Sequence, residues 1–290
     1  MTTEDARRIQ FQFHENDEKE PDGYIEAMRF LIKEENDPKD MLELGGYYYG
    51  QERFDLALKY YEMSATFNYI PAFICLGYIW YYGRVGDPDF KSAYACFKKA
   101  MDAGSYVATY KIADMYHNGY YVEKDEKKYE ELIEPLYFKV RSSRLLEDPV
   151  PEVCVRYAKI RSGRGEIRVA INIYLFAKDF LAQRMEQNSF FGNIAIMRDL
   201  IDNLYSIYMF DWDNFDLYDL YYVFRSPHNV SFKFHGEIYE IHTEWDGYAV
   251  AILFNGKWFQ DIDAFFEGAE IEGERLTRFY SELQDFTVLK

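Results

Sequence analysis

The sequence is poor in the residues that most often carry chemistry. Its three cysteines, Cys75, Cys96 and Cys154, are odd in number, widely spaced and without a CxxC pair. That pattern argues against a disulfide framework or a zinc knuckle and reads as buried thiols in a reducing compartment. There are five histidines, and HExxH, GxSxG, GxGxxG and Walker patterns are all missing, so the common hydrolase, dinucleotide and nucleotide signatures are absent. Long hydrophobic runs are lacking too. The longest, Tyr248 to Phe254, has seven residues, well short of the ~20 that a membrane-spanning helix needs. Met1 to Glu20 is polar and acidic without an apolar core, so neither a secretory signal nor a mitochondrial presequence is expected, and the mature chain is expected to start here and stay in the cytoplasm. The sequon Asn229-Val230-Ser231 therefore has no secretory pathway to act in.

Positive charge is also scarce. Against 50 Asp and Glu stand 33 Lys and Arg, a formal net charge of -17, which repels nucleic-acid phosphates and anionic lipid. What the chain does have is 28 Tyr and 24 Phe, an aromatic share of 19%, side chains that bury large areas and leave a polar tip at a surface. With 49% apolar and 29% charged residues over 290 positions, it has the composition of a folded protein and the length of two domains.

The first half repeats itself. Leu76-Gly77-Tyr78-Ile79-Trp80-Tyr81-Tyr82-Gly83 aligns with Ile112-Ala113-Asp114-Met115-Tyr116-His117-Asn118-Gly119 at an offset of 36 residues, and the offset carries Asp89 onto Asp125, Phe97 onto Ile133 and Tyr61 onto Phe97. A third copy opens at Leu44-Gly45, shortened by four residues around Gly50 to Phe54. Each unit reads as two helices joined by a Gly turn. The small residue at Gly45, Gly77 and Ala113 lets helices approach closely, and Tyr48, Trp80 and Tyr116 fill the space between hairpins. Gly50, Gly83 and Gly119 are expected to cap the first helix in the left-handed conformation. Pro135 is expected to interrupt the last second helix.

The Leu-Gly-x-x-Tyr-x-x-Gly pattern, with the following Asp89 or Asp125, Ala57 or Ala93 and a closing Gly104, resembles the Sel-one-like repeat family, which is related to tetratricopeptide repeats. The resemblance covers about residues 41–137, with a worn half-unit at 23–33. It implies an α-solenoid segment that holds other proteins without catalysis. The residues lead to the same expectation, since stacked hairpins create an extended surface that binds by shape and a few anchors. Positions three, six and seven of the first helix are left for that surface, which makes Tyr78, Tyr81, Tyr82, Asp114, His117 and Asn118 the candidates for holding a protein or peptide in the repeat groove.

Helical spacing continues through Val153, Tyr157 and Ile160, then Val169, Ile173, Phe176 and Phe180, then Ile194 to Tyr208, as diverged repeats or as a cap. Residues 139–168 form the only basic island, eight Lys and Arg against four acids. Arg161 and Arg164 there are a candidate anion site, or a solvated connection that meets the protein's own acidic surface. From Asp211 onward the charge turns acidic, sixteen against six, and the spacing becomes strand-like. Val230–Phe234, Glu237–Thr243, Tyr248–Phe254 and Lys257–Gln260 read as strands joined by His235-Gly236, Asp246-Gly247 and Asn255-Gly256, turn pairs that specify an antiparallel meander. A short helix at 262–266, a helix over 274–284 and a last strand at 286–289 complete the region.

The fold class expected is mainly α, an α/α hairpin-repeat solenoid followed by a small C-terminal α+β domain with an antiparallel meander. The divisions are a polar segment 1–22, repeats 23–140, further helices 141–210 and the α+β domain 211–290. The expected function is a non-enzymatic protein-interaction adaptor without cofactor, metal, nucleic acid or membrane. Two alternatives stay open. One is a ligand-binding or hydrolytic C-terminal domain using His228, His235, His242, Glu237, Glu240, Asp261 or Asp263. The other is an acidic immunity or inhibitor protein that blocks a basic target.

Overall fold

A computed structural model describes residues 1–15, 23–187, 191–245 and 249–289. The chain forms two compact units, residues 1–132 and 133–290.

The first unit is helical. It contains α1 (Thr3–Glu15), α2 (Tyr24–Glu35), α3 (Pro38–Gly50), α4 (Phe54–Thr66), α5 (Ile70–Tyr81), α6 (Phe90–Asp102) and α7 (Tyr106–Asn118). The division between the units falls within α8 (Glu126–Val140). Helix α1 packs on α2, α3 on α4 and α5 on α6, while α4 meets α5 and α6 meets α7, which is hairpin stacking. The repeated Asp has a physical reason. Asp89 accepts the Ser92 backbone N–H at 3.0 Å, and Asp125 accepts that of Lys128 at 2.9 Å, so each caps its helix. Their own N–H groups bond to Trp80 O and Tyr116 O, both at 2.9 Å, again 36 residues apart. A Cβ on Gly77 would stand 2.7 and 2.8 Å from Phe97 Cδ1 and Cζ and nearer still to Cε1; on Gly45 it would stand 2.6 Å from the Tyr61 ring. The aromatic ring of the second helix lies directly on the first helix's backbone. Half-buried Trp80 packs against both core clusters of the unit and so joins neighbouring hairpins.

Three expectations change here. The segment 1–22 contains α1, whose Ala6 is fully buried and whose Ile9 and Phe13 pack on the core. Gly83 (φ 60°) and Gly119 (φ 72°) are left-handed, but Gly50 is the last residue of α3 and the left-handed turn residue is Glu52 (φ 57°). Helix α8 continues through Pro135.

The second unit carries the remainder of α8, then α9 (Val150–Gly163), α10 (Ile167–Gln187), α11 (Phe191–Ile207), a 3-10 turn (Leu217–Asp219) and α12 (Leu220–Val223). Strands β1 (Val230–Phe234), β2 (Glu237–Trp245), β3 (Val250–Phe254) and β4 (Lys257–Phe259) follow, then α13 (Ile262–Gly268), the short pair β5 (Glu270–Ile271) and β6 (Glu274–Arg275), a 3-10 segment (Leu276–Glu282) and β7 (Gln284–Val288). The main sheet is antiparallel with order β4-β3-β2-β1-β7. Strand β2 is shared, pairing with β1 through Glu237–Ile241 and with β3 through His242–Trp245. His235 and Gly236 take φ of 48° and 85°, and Asn255 and Gly256 take 48° and 76°, the doubly positive geometry of tight hairpin turns. Asp246-Gly247 and Tyr248 lie outside the described residues. One sheet face, with Val230, Phe232, Phe234, Ile241, Ile252 and Phe254, is buried. Phe254 meets Phe265 of α13 and Phe232 meets Phe286 of β7, with ring centroids 5.9 and 5.2 Å apart. Edge strand β4 has three residues. At the other edge, β7 slips register against β1 between Ser231 and Lys233. Asp285 there is left-handed, φ 54°, and pairs with Lys233 at 2.6 Å.

The acidic shift at Asp211 marks no structural division. Helix α10 packs on the 3-10 segment 276–282, and α11 on α12 and α13. Lys178 of α10 is buried and holds Asp219 at 2.6 Å and Asp216 at 2.8 Å. The aspartates of that stretch form a capping box, with Asp216 accepting the Asp219 N–H (3.3 Å) and Asp219 accepting the Asp216 N–H (3.0 Å). Helix α10 also buries a different face from the one expected, Ala170, Tyr174, Ala177 and Leu181 together with Ile173 and Phe180, while Val169 and Phe176 are exposed. The segment expected as a helix over 274–284 is instead β6 and the 3-10 segment.

Candidate interaction surface on the repeats

The six candidate residues divide sharply by exposure. Tyr81 turns inward, its ring 5.6 Å from Phe90 and 5.9 Å from Tyr120, and Tyr78 packs on the same core 5.6 Å from Phe97. Only Tyr82 of the three is open to solvent, at 47%. Asp114 is half-buried and its carbonyl accepts the Asn118 side-chain N–H at 2.9 Å. His117 is exposed, with Nδ1 2.8 Å from Glu126 Oε2 and its ring 4.8 Å from Tyr129. Tyr78 and Tyr81 are therefore packing residues, because the turn of α5 that presents Tyr82 must aim its neighbours at α6.

Two cations absent from the sequence expectation complete the surface. Lys111 of α7 is 7% exposed, and its Nζ donates to Tyr82 Oη at 3.1 Å. Four rings surround that ammonium, Tyr78, Tyr81, Tyr82 and Tyr110, at 5.0, 5.2, 5.3 and 5.4 Å. Tyr78 and Tyr110 join by a 3.1 Å hydrogen bond between hydroxyls. The Arg84 guanidinium also lies 5.5 Å from the Tyr82 ring and 5.3 Å from that of Phe54, and Arg84 Nε donates to Tyr49 Oη at 3.1 Å. The result is a fixed row of rings and cations across successive hairpins with Tyr82 at its exposed point. A signal existed in the repeat register, since an offset of 36 places Lys111 on Cys75.

The cysteines are chemically quiet. Burial pushes the thiols of Cys75 and Cys96 up to about 11 and that of Cys154 up to about 12, so they stay protonated at neutral pH. Arg161 and Arg164 meet the protein's own carboxylates: Arg161 pairs with Glu134 (3.6 Å) and with Glu166, and Arg164 with Glu134 (3.7 Å).

The C-terminal candidates do not converge. Asp261 caps α13, accepting the Ala264 N–H at 2.8 Å, and Asp263 pairs with Arg198. His242 stands 3.1 Å from Glu240 on its own strand. Among the described residues no group of three His, Cys, Asp or Glu is placed to hold a metal ion. His235 lies between Glu282 (2.9 Å) and Glu272 (3.6 Å), and the bond to Glu282 raises its pKa above the usual histidine value. That attraction is present below pH 6.5, the unfolded value, and disappears as pH rises through the folded one. An NMR pH titration of the His235 ring is expected to show a midpoint above 6.5 that falls in Glu282→Gln, with Glu272 still in place.

No family model matches the sequence, and no curated protein matches it. Among solved structures the chain is similar to Sel1-type repeat proteins. One is the Sel1 repeat protein from Oxalobacter formigenes, with TM-score 0.48 and 20% identity over 61% of this chain and 67% of that one. Another is c5321, a protective antigen present in uropathogenic Escherichia coli strains displaying an SLR fold, with TM-score 0.43 and 14% identity over 73% of this chain. The match spans half of that antigen's length. The helical-repeat architecture described above rests on this chain's own stacked hairpins. Among the described residues no helix is long and apolar enough to cross a membrane.

Proposed function

We propose that this chain is a protein-interaction module whose repeat surface holds a protein or peptide segment at Tyr82. The observation that carries the reading is the exposed Tyr82 ring held by contacts to both Arg84 and Lys111. A rigid aromatic side chain loses little conformational freedom on binding, and Tyr82 is preorganised further because buried Lys111 holds its hydroxyl and Arg84 lies beside its ring. Stacked helical repeats suit such a role because successive hairpins extend one continuous surface.

A photo-cross-linking amino acid placed at position 82 tests this in the source cell, with one at exposed Trp258 on the outer sheet face as comparison. Adducts from position 82 that excess unmodified protein competes away support the reading. Adducts from position 258 alone move the working surface to the sheet. Tyr82→Ala with Arg84→Ala is the matching loss-of-binding variant, since Tyr78→Ala and Tyr81→Ala would also open the core.

A further inference from the structure

Several arginines of this acidic chain are committed to nearby carboxylates: Arg184 to Glu152 (2.9 Å), Arg225 to Asp202 (2.5 Å), Arg278 to Glu274 (2.9 Å), and Arg161 and Arg164 as above. Arg141 and Arg144 are different. Both are exposed in the connection between α8 and α9, and among the described residues neither has a carboxylate within ion-pair distance. They line an open cleft of about 560 Å3, with Ser142 between them and Phe176, Phe180, Asp179 and Gln183 of α10 also in its wall. The Arg141 guanidinium is steadied by the rings of Tyr137 and Phe138, each 5.8 Å away. Ser143 is occupied, donating to Asp148 at 2.6 Å, and Asp179 is engaged by Gln183 Nε2 at 3.0 Å.

We propose that this cleft binds a phosphate monoester carried on an apolar or aromatic group. Two guanidinium groups and a serine hydroxyl offer more donors than the two oxygens of a carboxylate use, whereas a phosphate monoester brings three acceptor oxygens and nearly two charges. The Phe176 and Phe180 side chains supply an apolar wall for the group that bears the phosphate. Asp179, with the net charge of -17, disfavours a polyanion and so selects a single phosphate reaching into the cleft.

The test is calorimetric titration of the full chain with phenyl phosphate, inorganic phosphate, benzoate and a short phosphotyrosine peptide. Phenyl phosphate is expected to bind saturably and more tightly than benzoate, and to weaken as sodium chloride is added. Arg141→Gln and Arg144→Gln are each expected to weaken it about tenfold, the loss of one hydrogen bond to a charged group. Phe176→Ala should weaken phenyl phosphate and leave inorganic phosphate unchanged. Arg168→Gln, which changes an exposed arginine outside the cleft, should change nothing, and unaltered melting temperatures would show that each variant folds. A peptide that binds more tightly than phenyl phosphate assigns the phosphate to a protein partner, and equal affinity assigns it to a small ester. Absence of saturable binding by every phosphate ligand, or binding indifferent to both cleft arginines, overturns the proposal.

Discussion

Lys178→Ala is expected to destabilise the second unit by about 3–5 kcal/mol, the cost of removing one partner from a buried ion pair. The substitution leaves Asp219, almost fully buried, without its cation. Burial pulls the Lys178 pKa down, but Asp216 and Asp219 pull it up more strongly, so the ammonium stays charged. Asp219 is pushed above the usual carboxylate range by burial and by Asp216, with Lys178 opposing. Tyr205 and Tyr280 complete the network, donating to Asp219 Oδ1 at 2.7 Å and Asp216 Oδ2 at 3.0 Å. Without the lysine, ionising Asp219 in the folded state becomes harder still. A carboxyl whose folded pKa lies above its unfolded value loses stability as pH rises between the two. The variant's deficit relative to the parent should therefore be smallest near pH 4 and grow toward neutrality, read by urea unfolding at several pH values. Lys178→Met with Asp219→Asn should recover part of the loss, because the hardest charge to bury is then gone. A deficit that is independent of pH would show that Lys178 acts through packing alone.

Gly77→Ala is expected to destabilise the first unit by about 1–3 kcal/mol. Alanine favours a helix by up to about 1 kcal/mol over glycine, but the added methyl meets the fully buried Phe97 ring. The protein contains its own rescue. Where the next repeat carries Ala113, the position equivalent to Phe97 is Ile133. Phe97→Ile alone leaves a gap, yet combined with Gly77→Ala it should cost less than the sum of the two, with a coupling of about 1 kcal/mol or more in a double-mutant cycle. Strict additivity would mean that the glycine serves the backbone and makes no room for the ring.

The features legible in the sequence are those set by local chemistry. Asp89 and Asp125 repeat because each caps a helix, and His235-Gly236 and Asn255-Gly256 form turns because few residues accept positive φ in succession. Helix α1 is hard to read from the sequence because its core-facing residues, buried Ala6 and half-buried Ile9 and Phe13, lie among charges, and Arg7 is drawn to Asp40 (2.7 Å) and Glu35 in later helices. The passage of α8 through Pro135 and the buried face of α10 are not legible in the sequence because tertiary packing decides both. Periodicity along α5 cannot show that Tyr81 packs on Phe90 and Tyr120, or that Lys111 and Arg84 lie beside Tyr82. Composition at Asp211 suggested a boundary because aspartates usually meet water; here Asp219 is held inside by Lys178.

The sheet's two borders bear on how the chain behaves at high concentration. A strand with a row of unsatisfied backbone groups is a template for another copy, and long, flat borders invite aggregation. Strand β4 is too short to offer such a row, and β7 is thrown out of line beside Asp285, where a charged pair with Lys233 occupies the rim. Neither border presents a flat ladder for a neighbouring molecule to extend. The domain thus carries a built-in defence against edge-to-edge association that does not depend on the rest of the chain covering it.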